Sequence, residues 1–146
     1  RFIFSALVFS WVGDVLLTWK EAMYFLAGLS AFLIAHLFYI TGYYNETRFN
    51  QFNLLKNKPY LITPYVLIVG FFLYKTHDHL GMMIIPVGLY SAVLAIMSLF
   101  ALNRFNNVTS ISFFITYIGS LLFMFSDFMI GYTVFYKPLP YSSLII

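Results

Sequence analysis

No cysteine occurs in the 146 residues, which excludes a disulfide framework, a thiolate nucleophile and cysteine-ligated metal. Charge is nearly as scarce: Asp, Glu, Lys and Arg together make up 9% of the chain, too few to cover the surface of a soluble domain. No long stretch alternates apolar and polar residues with a period of two, which argues against the strands of a membrane β-barrel. What fills the chain is apolar and aromatic. It is 62% hydrophobic and 22% Phe, Trp and Tyr, with a mean hydropathy of +0.86. This is the composition of an integral membrane protein.

The net charge of +3 and a pI near 9.1 would point to nucleic acid in a soluble protein. Here the bases fall between the hydrophobic runs, where they read as topology signals, and no nucleic-acid partner is expected. The chain is apolar almost from Arg1, with no basic stretch ahead of the run and no small-residue cleavage site behind it, so this run is expected to be a span rather than a signal peptide. It ends on SSLII, inside another apolar stretch, and both ends are expected to be trimmed.

A hydrocarbon core of about 30 Å takes about 20 helical residues, and the charges cut the chain into pieces of that size. The expected fold is all-α: a polytopic transmembrane helix bundle in one domain over residues 1–146. Five spans are expected at about 2–19, 22–43, 60–74, 80–102 and 108–136, with the start of a sixth after Lys137 and Pro138. Lys20-Glu21, 75–79 and 103–107 are the expected turns, and 44–59 the one sizeable polar loop. Pro64 suits a first turn, and Pro86 is expected to kink the fourth span. Arg1, Arg48, Lys56, Lys58 and Arg104 then share one membrane face, weakly favoured as cytoplasmic, and Lys20, Lys75 and Lys137 the other. Charges at span ends are expected to snorkel to the headgroups.

Three ionisable residues fall inside the runs instead: Asp14, His36 and Asp127. A carboxylate near a bilayer centre costs on the order of 3 kcal/mol or more, so an intramembrane acid is a functional-site hypothesis by default. At 1.5 Å per residue, Asp14 lies roughly 9 Å from the Lys20 end and Asp127 roughly 15 Å from the Lys137 end, on the same face. His36 is deeper, roughly 21 Å from Ala22. Ser10 precedes Asp14 by four residues, Tyr39 follows His36 by three, Ser126 adjoins Asp127, and Tyr90 comes at the depth of Asp127. Gly13, Gly28, Gly88, Gly119 and Gly131 permit the close helix approach that would gather these side chains.

Structural roles stand beside each functional one. A lone Asp can cap or bridge helices, a lone His can satisfy itself on Tyr39 or a backbone carbonyl, and Tyr90 is one of 12 tyrosines. His77 and His79 flank Asp78 but lack the further ligands of a metal site, so no metal is expected. The sequons at Asn45 and Asn107 are weak three-residue matches.

The segments FSWVGDVLL, FLAGLSAFLIAHLFYI and IGSLLFMFSDFMIGYTVF resemble the G-D-x-x-L, G-x-x-x-F-x-x-A-H-x-x-Y and G-x-x-x-F-x-x-S-D blocks of YhhN-like membrane proteins, the family of the lysoplasmalogenases. That resemblance implies a helical membrane protein, with about eight spans in a complete member, that hydrolyses the vinyl ether bond of lysoplasmalogens. The expected location is a bacterial cell membrane, and no cofactor is expected. Gly13, Asp14, His36, Tyr39, Ser126 and Asp127 match its blocks, whereas its T-Y-Y-x-A-Q block has no counterpart before Ile146.

Vinyl ether cleavage needs an acid to protonate carbon, a negative group to stabilise the resulting oxocarbenium ion, and a water. Two carboxyls can divide these roles, one protonated and one ionised, as in glycosidases. Asp14 and Asp127 are the expected pair, with His36 or Tyr90 orienting water or tuning the acid and Ser10, Tyr39 and Ser126 in support. The expected partners are a lysophospholipid substrate, its headgroup near the Lys20, Lys75 and Lys137 face, and membrane lipids. The competing class is a non-enzymatic membrane protein, such as a proton-coupled transporter or lipid carrier in which the same acids relay protons or bind a cation. A scaffold held together by its polar residues is a third.

Overall fold

A computed structural model describes residues 1–19, 21–49 and 52–136. Lys20, Lys137 and the start of the expected sixth span lie outside the described residues. Six α-helices follow in order: α1 (Phe2–Leu17), α2 (Ala22–Thr47), the single turn α3 (Leu54–Asn57), α4 (Thr63–Leu80), α5 (Ile84–Leu102) and α6 (Ser110–Phe135). No strand occurs among the described residues. In an apolar solvent each backbone N–H and C=O must be satisfied within its own segment, which leaves helices as the outcome for runs like these.

Three stretches are long and apolar enough to cross a membrane: Met23–Thr47, Pro59–Leu102 and Ser110–Phe135, while Phe2–Leu17 is apolar but shorter. The surface has the polarity of a lipid-facing one, with Trp11 67%, Ile115 70% and Phe125 64% exposed. The chain is an integral membrane protein.

The 44-residue middle stretch folds back on itself, so α4 and α5 run antiparallel and the Ser98 hydroxyl meets the Tyr65 hydroxyl at 3.3 Å. The reversal falls at Gly81, whose φ of +49° suits a residue without Cβ. Lys75–His79 were expected to form this turn but remain helical inside α4. Charged residues end an apolar run without ending a helix, which can continue into the headgroup layer. Pro64 occupies the first turn of α4 as expected. Pro86 also falls in a first turn, that of α5, where its missing N–H costs no helical bond and no mid-helix kink is needed.

Helix α1 packs on α2, α2 on α5, and α4 and α6 both on α5 and on each other. Small residues set the close approaches. A Cβ on Gly13 would stand 2.6 Å from the Phe32 ring, one on Gly28 2.9 Å from Leu17, and one on Gly131 2.8 Å from Phe72. Gly88 and Gly119 are not needed this way: the nearest atom to a Cβ on Gly88 is 4.0 Å away, and one on Gly119 meets nothing within 4 Å. Phe32 is itself buried, with Phe123 edge-on at 5.5 Å, and has little room to yield. Gly13→Ala is therefore expected to lower stability in detergent by about 1–3 kcal/mol, partly offset by alanine's better helix propensity. A thermal melt of the purified variant checks this, and an unchanged midpoint contradicts the contact.

Polar side chains tie the interior together. Ser98 and Ser120 share a hydroxyl bond of 3.0 Å between α5 and α6, and Tyr65 donates to Tyr117 at 3.2 Å between α4 and α6. At the end of the bundle carrying the α5–α6 loop, Arg104 does not snorkel: it is 4% exposed. Its Nε donates to Glu46 at 2.7 Å, Nη2 donates to the Ser112 hydroxyl at 2.9 Å, and the guanidinium lies 5.2 Å from the centre of the Tyr43 ring. Asn103 Oδ1 accepts from the Leu55 N–H, and Asn107 donates to the Phe52 carbonyl. These contacts seat the polar loop and α3 on the helix ends.

Candidate functional site

Stripes at helical spacing converge on one layer of the bundle. On α2 the positions Phe25, Leu29, Phe32, His36, Tyr39 and Tyr43 recur every three or four residues and so share a face. On α6 the same spacing links Thr116, Ser120, Phe123, Asp127 and Gly131. Where these stripes meet Tyr90 of α5, the Tyr90 hydroxyl donates to the Asp127 carboxyl. Tyr90 is buried and Asp127 half-buried. The His36 ring lies edge-on to Tyr90 at 5.5 Å and to Phe123 at 5.1 Å between centroids. His36 is 1% exposed, and its Nδ1 bonds the Phe32 carbonyl. A carbonyl only accepts, so Nδ1 carries the hydrogen. Nε2 has no hydrogen-bond partner among the described residues.

The depth ordering read from the sequence survives in reduced form. Phe25 and Phe135 are in ring contact at 5.4 Å and mark a common level. From there His36 is roughly 16 Å along α2 and Asp127 roughly 12 Å along α6. The difference is about one helical turn, and the Tyr90 ring bridges it.

Asp14 approaches from α1. Its side chain is exposed on the bundle surface, yet the carboxyl lies within electrostatic reach of both Asp127 and Tyr90. Asp14 is open to the outside, and Asp127 is held by Tyr90. Ser10, one turn before Asp14, is buried beside Tyr39 without a hydrogen bond of normal geometry. Ser126 is exposed and points away, because consecutive helical residues do not share a face.

Against Asp127 and Tyr90 lies a hollow of about 30 Å³, walled by Leu17, Phe32, Phe72, Val87, Phe128 and Gly131 among others. It has room for about one water. The arrangement can therefore hold a proton, a negative charge and a water-sized molecule behind an apolar wall. At the adjoining bundle end, His77 bonds Asp78 at 3.0 Å and His79 packs on Tyr136 at 5.3 Å, so the histidines are engaged separately. No cluster of three metal-ligating side chains occurs among the described residues.

Two residues of the site escaped the sequence reading: Phe32 and Phe123, which enclose His36 and touch each other. Their signal was available. Each is the Phe four residues after a Gly, Gly28 and Gly119, in the blocks that carry His36 and Asp127.

Comparison with known proteins adds the following. The family model described as "YhhN family" matches residues 1–146. Human lysoplasmalogenase TMEM86B is 32% identical over 97% of this chain and 55% of its own length. Human lysoplasmalogenase TMEM86A is 29% identical over 99% of this chain and 58% of its own, and pig lysoplasmalogenase TMEM86B is 32% identical over 97% and 55%. The chain thus spans a little over half the length of these curated relatives. No solved structure matches it.

Proposed function

The chain belongs to the YhhN family, and from that premise we propose that it serves as a membrane-embedded hydrolase of the vinyl ether bond in lysoplasmalogens. The observation that carries the proposal is the Tyr90–Asp127 hydrogen bond with Asp14 in electrostatic reach, a carboxyl pair in a chain about 30% identical to lysoplasmalogenases.

In the proposed reaction one carboxyl delivers its proton to the vinyl carbon farther from oxygen. The double-bond electrons form the new C–H bond and leave an oxocarbenium ion. The other carboxyl, ionised, stabilises that cation. Water adds to the cationic carbon and loses a proton to the carboxylate, giving a hemiacetal. The hemiacetal collapses as its hydroxyl gives up a proton to the carboxylate and its oxygen forms the aldehyde C=O, while the bond to the glycerol oxygen breaks and that oxygen takes a proton from the carboxyl. Vinyl ether and water are consumed, and a fatty aldehyde and a glycerophospho-headgroup are released. Tyr90 fixes the Asp127 carboxyl, and His36 backs the Tyr90 ring. No cofactor enters.

The depth of the site suits a lysolipid. Asp127 lies roughly 12 Å from the Phe135 end of α6, so a headgroup at the Lys75 end would leave its vinyl ether near the acids. That end carries an open hollow of about 600 Å³ lined by Lys75, His77, Asp78 and Tyr136, with charges of both signs for a zwitterion.

Protein reconstituted in liposomes and given a lysoplasmenyl lipid should release fatty aldehyde in step with the glycerophospho-product. A transporter or carrier using the same acids would move lipid or protons and yield no aldehyde. Tyr90→Phe keeps the ring against His36 and removes the bond to Asp127. It is expected to lower kcat about tenfold, equivalent to about 1.4 kcal/mol in the barrier, with its melting temperature as the control for folding. An unaltered kcat would remove Tyr90 from the mechanism.

A further inference from the structure

A second hollow continues the seam on which the acids sit. It occupies about 420 Å³ between α1 and α6, and its walls include Ile3, Leu7, Tyr39, Met97, Gly119 and Phe123. These residues extend the stripes that carry the site. On α1, Ile3, Leu7, Ser10 and Asp14 recur every three or four residues. On α6, Gly119 and Phe123 precede Asp127 by eight and four. Phe123 belongs to both places: it lines the groove and stands edge-on to His36 at 5.1 Å. The groove is closed at its far end by the Arg104–Glu46 ion pair, which also lines it. Because α1 packs chiefly on α2 and α6 on α5, it opens sideways, where the bundle faces lipid.

We infer that this groove receives the alkenyl chain of the substrate and that Gly119 sets how long a chain it accepts. The inference rests on the reading of the protein as a vinyl ether hydrolase and adds which part of the lipid lies where. In the substrate the reacting double bond is the first of the chain, so the chain must leave the acids directly. The hollow on the Phe135 side of Asp127 holds about 30 Å³ and has no room for a chain. The groove runs the other way, beginning at Phe123, one helical turn from Asp127, and opens to the bilayer. From Asp127 to Ser112, which bonds Arg104, is roughly 22 Å along α6, the scale of a long extended chain. The charged pair at that end, its guanidinium buried and its carboxylate open to water, is a barrier an apolar chain terminus does not pass. Gly119 falls roughly 12 Å from Asp127, partway along the chain, and a Cβ there meets nothing within 4 Å, so a larger side chain enters the groove without displacing protein.

The test compares kcat/KM for aldehyde release from lysoplasmenyl lipids of graded chain length, using wild type, Gly119→Val and Gly119→Trp. Ile118→Trp, about 100° around the same helix from Gly119 and 51% exposed, controls for added bulk. Chains that end before Gly119 should be cleaved as by wild type. Longer chains should lose about fourfold per displaced methylene, the equivalent of about 0.8 kcal/mol each, with the larger effect in Gly119→Trp. A profile unchanged in both variants, or a loss equal at every length, overturns the chain assignment while leaving the hydrolase reading intact. Wild type that releases aldehyde from no chain length overturns the hydrolase reading itself.

Discussion

Asp127→Asn is expected to lower aldehyde release about 10²–10⁴-fold, the usual contribution of a positioned acid or base. Asparagine has nearly the same size, and its amide oxygen can still accept from Tyr90, so the Tyr90 contact and the packing around Phe128 have no reason to change. What it cannot do is carry and return a proton or hold a negative charge. A loss of that size with an unaltered melting temperature would be chemical rather than structural. Asp14→Asn is the companion. Its side chain is exposed, so the substitution removes charge without opening a cavity, and a similar loss is expected if the two acids divide the proton and the charge between them. If either variant turns over at near-normal rate, that acid has no part in the chemistry. If both do, the proposed mechanism is wrong.

Arg104→Ala is expected to have the largest effect on stability. It removes a charge-assisted bond to Glu46, two bonds to Ser112 and the contact over the Tyr43 ring, all made by a side chain only 5% exposed. Breaking a fully buried ion pair costs about 3–5 kcal/mol. The Glu46 side chain is 42% exposed and water can reach it, so about 2–3 kcal/mol is the expected loss. Arg104→Lys keeps the charge but not the fork that reaches Glu46 and Ser112 together, and should fall between. Melts of the three proteins in the same detergent decide it: Arg104→Ala melting with wild type would mean that this cluster does not hold the α5–α6 loop against α2.

That cluster also marks the limit of the sequence as a guide. Hydrophobic run length located the helices, because a run of that length has one way to satisfy its backbone in lipid. It could not say whether a charge at a run's end turns the chain. Lys75–His79 continue α4 and the reversal waits for Gly81, whereas Arg104 sits in a true turn and folds inward to find Glu46, 58 residues away in sequence. The candidate site divides along the same line. Helical rise gives position along each helix, so spacing alone leads one to expect Asp14, Tyr90 and Asp127 in one half of the membrane. Lateral proximity depends on which faces pack, and that followed from Gly13, Gly28 and Gly131, whose partners Phe32, Leu17 and Phe72 no spacing identifies. Ser126 was avoidable: it adjoins Asp127 in sequence and therefore lies about 100° around the helix from it. The Tyr65, Ser98, Tyr117 and Ser120 hydroxyls gave only a weak sign, small polar residues within apolar runs.

Turnover in D₂O tests the central claim most directly, because carbon protonation by a carboxyl leaves a record in the product. With reconstituted protein and a lysoplasmenyl lipid, the account predicts slower turnover in D₂O than in H₂O, a fatty aldehyde bearing one solvent deuterium on the carbon next to its carbonyl, and loss of that product in Asp127→Asn. Aldehyde without solvent deuterium at that carbon, or labelled aldehyde formed as fast by Asp127→Asn as by wild type, would contradict it.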